Sequence, residues 1–177
     1  MPSPIAHAVT GYVLSRLWPV RSDLTLSQQR FQSYYGVFVA IAADFDFIPQ
    51  FLTGEQFHRG ITHTIIFDVL FSLVLAWFFF GRFNCSYRRA VLFTMMVYSS
   101  HLVLDLVTTG GQGLQLLWPL TDTYFKAPFP LFPPVHHSRG LLDPSHLIFF
   151  AWEFCYSLLI LSGLRFWENS KFSKFSE

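Results

Sequence analysis

Charge is scarce in this chain: 13% of its 177 residues are Asp, Glu, Lys or Arg, against about 25% in an ordinary soluble domain. The formal net charge is only +1, so there is no basic field to draw the protein to nucleic acid, and binding of that kind is excluded. Two cysteines cannot build a disulfide scaffold, and Cys85 and Cys155 fall at different levels of the chain's apolar pattern, where they would not meet. Internal repeats and low-complexity tracts are missing as well. The opening Met1-Pro2-Ser3-Pro4 lacks the basic start and apolar run of a cleaved signal, so His7 is expected to remain in the mature protein.

What is present in excess is apolar surface. Hydrophobic residues make up 52% of the chain and aromatics 19%, with 22 Phe, and the mean hydropathy is +0.38. That composition places the protein in a membrane. Five apolar stretches, at residues 4–20, 34–52, 65–81, 91–107 and 146–164, each approach the roughly 17 residues that span a bilayer. They predict an all-α fold, an integral membrane bundle of about five helices forming a single domain over residues 1–167, with a short tail over 168–177. The stretches at 65–81 and 146–164 are the most convincing spans. The others carry His7, Asp44 with Asp46, and His101 with Asp105, and an ionisable group inside a bilayer helix costs about 2.5–3.5 kcal/mol. Something must offset that cost.

Threading the five stretches as alternating spans segregates the basic residues. Nine of the twelve fall on one side: Arg16, Arg21, Arg30, Arg82, Arg88, Arg89, Arg165, Lys171 and Lys174. By the positive-inside rule that side, and with it the C-terminus, is cytoplasmic. His7, Asp44, Asp46, His58, His63, His101 and Asp105 then collect at the non-cytoplasmic face. On that face lies also the 108–144 segment, whose Gly110, Gly111, Gly113 and five prolines from Pro119 to Pro134 preclude a regular helix. Its Trp118, Tyr124, Phe125, Phe129 and Phe132 favour a lid in the headgroup region over a solvated linker.

His101 and Asp105, four apart, lie about 40° apart on a helix and can grip one ion from adjacent turns. Asp44 and Asp46 are two apart and would point to opposite sides of an ideal helix. Both reach one site only if the helix unwinds there, which Pro49 favours; otherwise one is a ligand and the other orients a neighbour or caps a helix. In His58-Arg59-Gly60-Ile61-Thr62-His63-Thr64, His58 belongs to a loop and His63 to the first turn of the next helix, with Gly60 bending the chain between them. The fork of Arg59 matches either a phosphate or a structural carboxylate. Asp68 is expected to face the same cavity as His63. His146 and Glu153, seven apart, share a helix face and, with His136, His137 and Asp143, make either a further ion site or structural and substrate contacts. The ligand set of His and Asp without thiolate suits zinc, or alternatively manganese, as one ion or as two bridged by a carboxylate such as Asp105.

In order along the chain, His7, Ala43-Asp44-Phe45-Asp46, the 58–64 box, Ser100-His101-Leu102-Val103-Leu104-Asp105 and Leu117-Trp118-Pro119 resemble the YdjM-type family of membrane-bound metal-dependent hydrolases. The motif order is also similar to that of the zinc-dependent phospholipase C and single-strand nuclease group. The resemblance covers residues 3–130. It implies a divalent-metal hydrolase, with His58, His101, Asp105 and one of Asp44 or Asp46 around one ion and His7 with Asp105 around another. Two departures stand out: Ala42-Ala43 replaces the usual Leu-Pro before the Asp pair, and the amino-terminal Trp ligand of the soluble phosphoesterases has no counterpart.

The expected function is hydrolysis of a phosphoester by metal-activated water, with Asp44, Arg59, His63 and Asp105 carrying the chemistry and a membrane phospholipid or lipid-linked phosphate as substrate. The rivals are a non-catalytic scaffold with a structural metal and an ion or metal transporter. Five spans put the two ends on opposite faces. Reporters fused to each terminus should therefore give opposite readings, with the C-terminal one cytoplasmic, and like readings would remove the threading.

Overall fold

Helix boundaries fall where local chemistry places them. In a computed structural model that describes residues 3–54, 59–109, 111–133 and 145–173, helix α1 runs over Pro4–Leu17. Pro4 sits where its missing N–H costs nothing, and the Ser3 hydroxyl accepts from the Ile5 amide. Helix α2, Leu26–Ile41, opens on a reciprocal cap between Thr25 and Gln28. It then tightens into a 3-10 turn over Ala42–Asp46 before the seven-residue α3, Phe47–Thr53. A second 3-10 turn, Ile61–His63, leads into α4, Ile65–Phe83; α5 spans Tyr87–Leu106 and α6 spans Ser145–Ser173. No strand forms among the described residues, so the expected all-helical bundle, with five long helices, is what the chain builds.

Among the described residues, three helical runs are long and apolar enough to cross a membrane: Leu26–Thr53, Ile65–Phe83 and His146–Ser170. Helix α1 has 14 residues, about 21 Å of helix against a hydrocarbon layer of about 30 Å. Helix α5 has the length but is not among those runs, and it is the central helix. Phe93, Val97, Tyr98, His101, Leu102 and Asp105 are all buried along it, between α1, α2 and α4. Outward-facing Leu70, Val74, Trp77 and Phe78 on α4 and Leu147, Ile148, Phe154 and Leu159 on α6 are exposed, as a lipid-facing surface requires. Helix α6 continues past Trp167 to Ser173, tied in by Glu168, which takes two hydrogen bonds from Arg16.

The tightest contact lies between α1 and α2. A Cβ on Gly11 would meet the Gly36 carbonyl oxygen at 2.4 Å and the Ala40 Cβ at 2.5 Å, and one on Gly36 would meet the Gly11 carbonyl at 2.8 Å. Gly11 with Ser15 on one helix, and Gly36 with Ala40 on the other, form facing small-residue stripes that let backbone touch backbone. One turn along the α1 stripe from Gly11 is His7; one turn beyond Ala40 is Asp44. Gln32, buried, bridges the same pair at the far end by donating to the Ser15 and Trp18 carbonyls and accepting from the Val20 amide.

Helix α6 lies parallel to α1. Glu153 takes the Ser3 amide and hydroxyl, Tyr156 meets the Thr10 hydroxyl at 2.8 Å, and Glu168 pairs with Arg16 at 2.7 Å. The first described residues and the end of α6 consequently stand at opposite ends of the bundle. Gly11→Ala is expected to destabilise by about 1–3 kcal/mol, because neither obstructing atom is the tip of a flexible side chain. Gly81→Ala, with nothing within 4 Å of its added Cβ, should be neutral or slightly stabilising. Thermal unfolding in detergent reads both.

Candidate metal centre

Four separate segments converge where α1 begins and α5 ends. His101 and Asp105 stand on adjacent turns of α5, as their spacing requires. His101 Nδ1 donates to the Ala40 carbonyl at 2.7 Å, which directs the Nε2 lone pair into the site. His63, which precedes α4 in the 3-10 turn rather than starting the helix, is oriented by Asp46. Its Nδ1 lies 3.2 Å from Asp46 Oδ2 and 3.0 Å from the Thr62 hydroxyl. The two Nε2 atoms face each other at 3.3 Å.

Asp44 and Asp46 both turn inward because the chain is 3-10 helical there, with Pro49 in the first turn of α3, where a missing N–H is tolerated. They do different things. Asp44 Oδ1 lies 3.6 Å from His101 Nε2, whereas Asp46 Oδ2 accepts from the Arg59 amide at 3.1 Å and the Thr62 hydroxyl at 2.8 Å. Asp46 thus holds the 59–63 turn and the His63 ring, and Asp44 faces the centre. His7, fully buried, stacks on His101 with ring centroids 3.8 Å apart. Its Nε2 is 3.5 Å from Asp105 Oδ1.

Asp105 is the hub, with its Oδ2 3.5 Å from His63 Nε2 and 3.6 Å from Arg59 Nε. Neither of its oxygens, nor either ring nitrogen of His7, has a hydrogen-bond partner among the described residues. Arg59 reaches inward from a left-handed backbone, φ 65°, that costs a non-glycine residue about 1 kcal/mol or more. Its guanidinium lies against Gly111, where a Cβ would come within 2.6 Å of Nη1.

Among the described residues, two sets of ligand atoms lie close enough to hold an ion: Asp44 with His63 and His101, and His7 with His101 and Asp105. A tetrahedral ion with bonds of about 2.0–2.1 Å needs ligand atoms about 3.3–3.4 Å apart, and the 3.3 Å between the imidazole nitrogens fits that edge. Charge fits as well. With neutral imidazoles, three carboxylates face one guanidinium, leaving two negative charges for a divalent cation to balance. His101 belongs to both sets but has one lone pair to give, since Nδ1 is committed to Ala40. The two sets therefore cannot each hold an ion through His101 at once.

Other expected residues are placed differently. Asp68 faces α5 and not the His63 cavity, accepting from Ser72 at 3.1 Å and Ser99 at 2.5 Å. Glu153 serves as the partner of Ser3, at the start of α1, so it joins no ion site with His146 among the described residues. His58, His136, His137 and Asp143 lie outside the described residues. The segment after α5 is folded back onto the site end. Leu114 and Phe125 exchange both backbone hydrogen bonds, Leu106 and Val107 carbonyls accept from Ala127 and Leu131, and the Leu116 carbonyl accepts from Ile65 at the start of α4.

Fold and site together define a helical membrane protein that gathers buried His and Asp side chains at one end of its bundle. A family model described as YdjM inner membrane protein matches residues 1–169, and the chain belongs to that family. The inner membrane protein YbcI of Escherichia coli (strain K12) is 32% identical over 148 residues, covering 77% of this chain and 83% of the relative. No solved structure matches the chain. The membership read from motif order thus holds, and neither description names a reaction.

Asp46→Ala removes the acceptor for the Arg59 amide, the Thr62 hydroxyl and His63 Nδ1 together. With a buried unsatisfied donor costing about 1–3 kcal/mol each, the variant should lose at least about 2 kcal/mol and show faster amide exchange at Arg59. Unchanged exchange there would mean that Asp46 does not hold the turn.

Proposed function

We propose that this protein is a membrane-embedded hydrolase that holds one divalent ion, zinc or manganese, and cleaves the phosphoester of a lipid-linked substrate. The observation that carries this reading is the facing pair of imidazole nitrogens, each anchored from behind and set among surplus carboxylates. Asp44, His63 and His101 would hold the ion, three protein ligands being the pattern of catalytic rather than closed structural sites. When bound, such an ion supplies Lewis acidity, drawing charge from a phosphoryl oxygen and lowering the pKa of water.

The remaining residues divide the work. Arg59, already strained inward, offers its fork to the charge that develops on the phosphoryl group. His7, with Asp105 beside its Nε2, can hold a proton during attack of water, in the manner of an imidazole steered by a carboxylate. Asp46 positions His63 and touches no substrate. A lipid-linked phosphate fits because the site sits at one end of a membrane bundle, beneath a segment whose Leu120 and Phe129 point outward. A second reading, a scaffold stabilised by a structural metal, draws support from the near-complete burial of the ligands.

Metal analysis of the detergent-purified protein should give about one zinc or manganese per chain, lost in His101→Ala and Asp44→Ala. Arg59→Gln should keep the metal and lower turnover of phospholipid or phosphodiester substrates about 10²–10³-fold. Metal that is needed for folding, with no turnover on any phosphoester, would favour the scaffold. A folded wild type that takes up neither ion would remove the mechanism.

A further inference from the structure

The end of the bundle away from the His and Asp cluster carries a feature that the hydrolase reading does not use. A cavity of about 360 Å³ opens there between α1, α2 and α6, lined by Arg16, Arg21, Gln29, Gln32, Trp167 and Glu168 among others. A second, of about 290 Å³, adjoins it across Arg16 and Gln29 and adds Arg30, Tyr12 and Tyr34. A third shares Pro19, Arg21 and Ser22 with the first and adds Arg89. The first cavity thus links the other two into a trough whose linings together hold four arginines, with Glu168 the single carboxylate among the described lining residues.

We infer that this trough binds a phosphate group, supplied by the headgroup of an anionic membrane phospholipid. Size is adequate, since small-molecule sites run from about 300 to 1,000 Å³. Charge is the deciding property. Glu168 neutralises Arg16, and Asp23 neutralises Arg21 from outside the lining. Arg30 makes no hydrogen bond or ion pair with any described residue, and the guanidinium of Arg89 makes none either. Arg30, an uncommitted cation beside a concave, partly apolar surface, suits one phosphodiester with its glycerol and the first carbons of its chains, while Arg89 adds positive charge in the separate cavity beyond Arg21. Trp167, Tyr12 and Tyr34 supply the amphipathic rings that sit at headgroup depth. The basic residues gathered at this end then do more than orient the chain. They build a seat for the lipid that surrounds them, at the opposite end of α1 from His7.

The test uses full-length protein in nanodiscs of phosphatidylcholine, titrated with phosphatidylglycerol, and reads thermal unfolding. Phosphatidylglycerol should stabilise the wild type saturably, and Arg30→Gln should weaken its apparent affinity about tenfold, the loss expected for one charge-assisted contact. Arg88→Gln supplies the control, because Arg88 is an exposed cation of the same end that lines none of the three cavities. It should leave the affinity unchanged. Equal weakening in Arg30→Gln and Arg88→Gln would mean that only the general field acts, and the site would be withdrawn. Equal stabilisation by phosphatidylglycerol and phosphatidylcholine would also overturn it. Inorganic phosphate at matched ionic strength separates the source. Little effect of the free ion supports a lipid, whereas an effect as large as the lipid's, abolished in Arg30→Gln, keeps the phosphate site and rejects the lipid as its ligand. None of these outcomes depends on metal or hydrolysis.

Discussion

Backbone contact between α1 and α2 is the constraint on which the rest of the molecule rests. Gly11 and Gly36 allow two helices to approach until a carbonyl of one would touch an added Cβ of the other. Because side chains recur every four residues along a helix face, the same stripe that closes the gap ends in His7 on one side and Asp44 on the other. Between them lies the Ala40 carbonyl that anchors His101. A wider spacing of α1 and α2 would separate all three. Packing at this contact and geometry at the site are therefore one property, fixed by residues that carry no chemistry themselves.

Around that contact the site is organised as candidate ligand atoms with supports behind them. Asp46 and the Ala40 carbonyl each take an imidazole Nδ1–H, leaving both Nε2 atoms turned inward. Such supports fix tautomer and ring orientation together. Arg59 is held by its own amide on Asp46 and by the close approach of Gly111. The turn that bears Arg59 and His63 is thus locked at both ends, and its left-handed residue is tolerated because the surroundings over-determine it.

Much of this arrangement was legible in sequence where spacing alone decides geometry. The four-residue interval of His101 and Asp105 fixed their common face, and Asp44 with Asp46 before Pro49 required an unwound turn, which is a 3-10 turn. Which Asp would ligate and which would support could not be read, because that depends on Arg59 and Thr62 folding back over thirteen and sixteen residues. The stripes of Gly11 and Gly36 passed unread, since one glycine in an apolar run says nothing about its neighbour. Asp68 was expected to face the His63 cavity and Glu153 to join either an ion site or structural contacts, but their partners are Ser72 and Ser99, and Ser3, residue types that form such bonds too often to be a signal. The centrality of α5 was likewise hidden: His101 and Asp105 on it are buried among helices.

The three polar contacts between α1 and α6 have a mechanical consequence. Glu153, Tyr156 and Glu168 meet Ser3, Thr10 and Arg16 near the start, middle and end of α1. Where these contacts are shielded from water, no competing solvent eases their exchange, and a slip of α6 by one turn would break all three and strand two carboxylates. An otherwise greasy rod is in this way keyed to its neighbour like a toothed rack. Its longitudinal position is set by a few polar teeth, while the apolar face toward the lipid stays free to vary.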